Sequence, residues 1–103
     1  MKILLDHCVP TPLRKLLAAY SIQIVHDLGW ARLRNGELIA IAEQAGFELM
    51  ITSDKNLSYQ QNLAARRLAI LVLPTNNWLA LKAMATEIEH AVATMRAGEF
   101  REL

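Results

Sequence analysis

At 103 residues the chain has room for a single domain, residues 1–103, and a composition 53% apolar and 20% charged excludes a disordered segment. A net charge of +1 lacks the positive excess of a dedicated nucleic-acid binder, so any such role must rest on a local basic patch or on metal-bridged phosphates. No apolar run approaches the roughly 20 residues that span a bilayer, no secretory signal precedes the opening strand, and the single Cys8 cannot pair internally. No membrane association and a cytoplasmic location are the expectation.

The first element is an apolar strand, Lys2-Ile3-Leu4-Leu5, that delivers Asp6 at its C-terminal tip. Thr11 and Pro12 suit the cap and first position of a helix whose Leu13, Leu16, Leu17 and Tyr20 share a face. A second strand is expected from Ser21 to Val25, followed by a loop from Leu28 to Arg34. Asn35 is the expected cap of the next helix, and Glu37 falls in its first turn, where the helix dipole favours an anion. Leu38, Ile41, Ala42 and Ala45 form the apolar face of that helix, and Gly46 stops it.

Leu49-Met50-Ile51-Thr52-Ser53-Asp54 repeats the opening pattern, a buried strand ending on an aspartate. Ser58 with Gln61 resembles a capping box for a short helix reaching Arg67. Leu68 to Leu73 reads as a fourth buried strand, and a long C-terminal helix is expected from Trp78 to Ala97, ended by Gly98. Strands separated by helices argue for parallel, right-handed βαβ units, hence a three-layer α/β fold with a parallel sheet of about four strands in the order 2-1-3-4. Strand order reverses between the first and third strands of such a sheet, and ligands bind at the carboxyl ends of the strands there. Asp6 and Asp54 are both delivered to that crevice.

Carboxylates about 4 to 5 Å apart repel by roughly 3 to 4 kcal/mol at an effective dielectric near 20, a cost that a divalent cation removes. Mg²⁺ uses one or two carboxylates, keeps several waters and leaves its other positions to phosphates. Glu37 is the third acid, read either as a dipole partner or as a ligand reaching the same crevice. Thr52 and Ser53 are candidates for orienting the backbone or bonding a phosphate or water near Asp54, with only one of them facing inward, and Lys55 and His7 are candidates for phosphate contact. One Cys and one adjacent His make a poor zinc signature, so Cys8 is read as a small hydrophobe. Trp30, Arg32 and Arg34 interleave an aromatic with two cations, a pattern that stacks a base and holds phosphates, or that packs an indole beside two solvated arginines.

These residues resemble the short PIN-like nucleases of prokaryotes, toxin components of toxin–antitoxin pairs. The similarity runs through Lys2–Asp6, the helix opening from Pro10 to Leu17, Val25-His26-Asp27-Leu28-Gly29, Glu37-Leu38-Ile39-Ala40-Ile41-Ala42 and Thr52-Ser53-Asp54-Lys55-Asn56-Leu57. The resemblance implies Mg²⁺- or Mn²⁺-dependent cleavage of single-stranded RNA, with Asp6, Glu37 and Asp54 as catalytic and metal-holding acids and Asn56 beside them. It also implies a two-metal scheme and a small cognate antitoxin protein as partner. The chain departs from the family where His7, Gly36 and Asn56 replace frequent acids. Fewer anionic ligands weaken metal binding. The alternative expectation is therefore a PIN-like binding module acting through a protein partner, and the apolar excess leaves room for such an interface or a homodimer.

Overall fold

The computed structural model describes residues 1–55 and 66–103. Five strands, β1 (Lys2–Leu5), β2 (Ser21–Ile24), β3 (Leu49–Thr52), β4 (Ala69–Val72) and β5 (Phe100–Glu102), form one sheet in the order β2-β1-β3-β4-β5. Every neighbouring pair is parallel. The expected order of the first four strands therefore stands, and a fifth strand extends the sheet beyond β4. A 3₁₀ helix (Thr11–Leu17) follows β1, and α1 (Asn35–Gln44) links β2 to β3. The helices α2 (Trp78–Ala83) and α3 (Ala85–Thr94) connect β4 to β5.

The central strands are apolar on both faces because helices cover both faces. Ile3, Leu5, Leu49, Ile51, Ala69 and Leu71 join Leu13 and Leu17 of the 3₁₀ helix and Leu81, Ile88, Ala91 and Val92 of α2 and α3. The intervening Leu4, Met50, Ile70 and Val72 point the other way, onto Leu38, Ile39 and Ala42 of α1 and Phe47. The alternation along each strand thus divides one sheet between two cores. Among the described residues the large hydrophobics left exposed are Met1 and Leu79.

Three expectations need correction. The cap of the first helix is Pro10 rather than Thr11, and that helix is 3₁₀, opened by an i→i+3 bond from Leu13 N–H to the Pro10 carbonyl. Asn35 lies inside α1, whose cap position is Arg34. The long C-terminal helix is two helices broken at Met84 (φ −101°, ψ 19°), whose N–H folds back onto the Leu81 carbonyl before α3 resumes from it. Neither proline nor glycine marks the break. The capping box at Ser58 and Gln61 lies outside the described residues.

Gly98 turns the chain into β5 with φ +77°, and a Cβ there would sit 2.6 Å from the Arg66 carbonyl oxygen. Beside it, the Glu99 carboxylate accepts from Arg96 N–H at 3.0 Å and meets the Arg101 guanidinium at 2.7 Å. The Arg96 backbone donor and the Arg101 side chain hold the Glu99 carboxyl below the ordinary carboxylate range. Gly98→Ala should lower stability by about 2 kcal/mol in urea unfolding. Gly46→Ala, with the same sign of φ but nothing within 4 Å, should cost less. Because the folded Glu99 carboxyl titrates lower than the unfolded one, its charge contributes stability above the unfolded value and loses it as pH falls through the folded value. Glu99→Gln should accordingly unfold more easily at neutral pH, with the difference from the parent closing in acid.

Candidate functional site at the carboxyl ends of β1 and β3

The parallel register pairs Leu5 with Ile51, so the residues one step beyond, Asp6 and Thr52, stand side by side at the middle of the sheet. Asp6 N–H continues the ladder to the Ile51 carbonyl at 2.9 Å. The Asp6 residue is only 3% exposed and Thr52 is fully buried. A carboxylate so placed needs donors around it, and the His7 N–H and the Thr52 hydroxyl reach it at short range, with the His7 ring beside them. Asp6 Oδ1 accepts from the His7 N–H at 2.8 Å and lies 3.0 Å from His7 Nδ1. Asp6 Oδ2 accepts from the Thr52 hydroxyl at 2.7 Å.

Thr52 also ties in the second aspartate, its Oγ1 accepting the Asp54 N–H at 3.1 Å. One hydroxyl therefore links both strand tips. Cys8 Sγ completes the cluster, 3.6 Å from Thr52 Oγ1 and 3.8 Å from Asp6 Oδ2, and it accepts from Ser53 N–H at 3.5 Å. Asp54 and Ser53 are half-buried and Lys55 is exposed. The His7 imidazole is on the outside, its side chain 62% exposed against 4% for Asp6. The sequence signal for Thr52 was available in its position as the one polar residue of an otherwise apolar strand, but its partner was not.

Glu37 sits exposed in the first turn of α1, where its Oε1 accepts the Arg34 N–H at 3.2 Å. Its contact is the helix-capping one, and the structure gives it none with Asp6 or Asp54. Among the described residues no group of three or more His, Cys, Asp or Glu side chains is placed to hold a metal ion. Trp30 packs edge-on to Phe47, ring centres 6.0 Å apart, and belongs to the core on the α1 side of the sheet. Arg32 and Arg34 remain exposed next to it. Asn56 lies outside the described residues.

No protein-family model, curated protein or solved structure matches this chain. No helix among the described residues is long and apolar enough to cross a membrane.

Thr52→Val keeps the volume of the side chain and removes its hydroxyl, and with it the bond donated to Asp6 Oδ2 and the bond accepted from the Asp54 N–H. The expected cost is about 2 kcal/mol in denaturant unfolding at neutral pH. Thr52→Ser should recover most of that loss, and the cost of Thr52→Val should shrink in an Asp6→Asn background, since the two groups share one bond.

Proposed function

We propose that this chain is a PIN-like ribonuclease, dependent on Mg²⁺ or Mn²⁺ and acting as the toxin of a toxin–antitoxin pair. The observation that carries the reading is the shared anchoring of Asp6 and Asp54 by Thr52 at the carboxyl ends of adjacent central strands, the position where open parallel sheets bind ligands. The donor set there suits a hard cation. It offers carboxylate oxygens, with the Thr52 hydroxyl and the Cys8 sulfur beside them, and Mg²⁺ needs no more than one or two carboxylates with water and phosphate in its remaining positions.

Asp6 and Asp54 would hold the ion, which when bound supplies Lewis-acid stabilisation of charge on a phosphodiester. The protein's own groups have separable tasks. Thr52 fixes the direction of the Asp6 carboxylate through Oδ2, while Oδ1 meets the His7 N–H and the exposed His7 ring. His7 stands where the family often has an acid, and its imidazole can contribute a cationic or hydrogen-bonding contact to a phosphate. Ser53 and Lys55 flank Asp54 on the same loop, and Arg32 and Arg34 offer cations on the loop leading into α1. Glu37 acts in this reading by fixing the start of α1, and through it the neighbouring arginines.

A second reading, a binding module that keeps the scaffold and works through a protein partner, draws on the same geometry. Two aspartates share an anchor, while the third acid is engaged in capping α1.

The test is cleavage of a mixed-sequence single-stranded RNA with Mg²⁺, Mn²⁺ or EDTA, together with Mn²⁺ binding followed by electron paramagnetic resonance. The nuclease should cut with either metal and stop with EDTA. Asp6→Asn should reduce both cleavage and Mn²⁺ binding to background while keeping its circular dichroism. A folded protein that neither cuts RNA nor takes up Mn²⁺ would overturn the nuclease reading, and tight binding of a protein partner by that same sample would favour the second.

A further inference from the structure

We propose that the opposite end of the sheet carries a separate binding site for a small organic carboxylate with an apolar ring or branched body. A cavity of about 210 Å³ opens there, at the amino ends of the strands, with Phe47, Leu49 and Met95 among its walls and Arg67, Arg96 and Glu48 also lining it. An apolar cavity of about 150 Å³ accepts benzene, so this one has the volume for a ring and a carboxylate together.

The charges around it are unequally committed. Glu48 accepts the Lys2 N–H at 3.3 Å. Glu43, on α1, accepts from Arg67 N–H and Leu68 N–H at 2.8 and 2.9 Å. Glu99 is engaged by Arg101 at 2.7 Å and by the Arg96 N–H. The acids at this end thus bind backbone N–H groups or another cation. Among the described residues neither the Arg67 nor the Arg96 guanidinium forms a hydrogen bond or ion pair of its own. Lys2 Nζ lies 4.4 Å from the Phe47 ring centre and donates to the Ala45 carbonyl at 2.7 Å. Arg66, next in the chain, has Nη1 and Nη2 buried without a hydrogen-bond partner among the described residues, and burial lowers its pKa despite the nearby Glu43. Two exposed guanidiniums over this pocket, neither hydrogen-bonded among the described residues and Arg96 attracted to the nearby Glu99 charge, match a ligand that is anionic at one end and apolar at the other.

The site is independent of the nuclease reading, since neither metal nor RNA enters it. It is tested by titrating the isotopically labelled full chain with sodium benzoate, and in parallel with benzyl alcohol, following backbone amide shifts by nuclear magnetic resonance. Saturable shifts should gather at residues 47–49, 67–69 and 95–97 and spare Asp6, Thr52 and Asp54. The double variant Arg67→Gln/Arg96→Gln changes exposed side chains only, and it should weaken benzoate binding at least about tenfold, as should replacing the carboxylate by the alcohol. Absence of saturable shifts, equal binding of the alcohol, or benzoate binding that survives the double substitution would each overturn the assignment.

Discussion

A carboxylate with almost no exposure sits at the centre of this sheet, and its accommodation constrains everything around it. Removing an ionised carboxylate from water costs several kcal/mol unless donors replace the water. The Thr52 hydroxyl is the donor that cannot be supplied locally, because it reaches Asp6 across 46 residues of chain. It does so only if β1 and β3 are neighbours and if Leu5 pairs with Ile51. A slip of one residue would carry the hydroxyl away from Asp6 and turn every β3 side chain to the other face of the sheet. Register, strand order and the satisfaction of a buried charge are therefore one condition.

The same parallel topology sorts the chain's polar residues between two ends. Every strand of the sheet points the same way, so residues that follow strands gather at one end and residues that precede them gather at the other. Asp6, Ser53 and Asp54 are collected at the carboxyl ends. Glu48 and Arg67 precede β3 and β4 and meet at the amino ends, where Arg96 joins them from the segment leading into β5. Each end carries both signs, Asp6 and Asp54 with Lys55, Arg32 and Arg34 at one and Glu48 with Arg67 and Arg96 at the other, within a net charge of +1.

Much of the architecture was readable because burial leaves a local signature. Runs such as Ile3-Leu4-Leu5 and Ala69-Ile70-Leu71-Val72 are apolar on both faces, as only strands covered on both sides need to be. Spacing by helices gave the parallel order of the first four. The fifth strand escaped because Phe100-Arg101-Glu102 is short, charged at two of its three positions and at the sheet's edge, where one apolar side chain per strand suffices. The break at Met84 escaped for a related reason: Leu81, Ile88, Ala91 and Val92 keep one helical face through it, so periodicity runs on where the backbone does not.

At the site, the two aspartates were legible as charges placed after strands too apolar to tolerate a random one. Glu37 looked like a third member because its type and position suited a ligand, and its exposure and contact with Arg34 N–H emerge only in three dimensions. Trp30 likewise read as a stacking platform or a packed indole, and its edge-on contact with Phe47 depends on how α1 meets the sheet. The sequence by itself determined which segments are buried and that aspartates end two of them, because apolar patterning and strand endings are local properties of the chain. Only the tertiary structure decided that Thr52 joins those aspartates, that Glu37 serves a helix end and that arginines line the far cavity, because each depends on register and packing between residues distant in sequence.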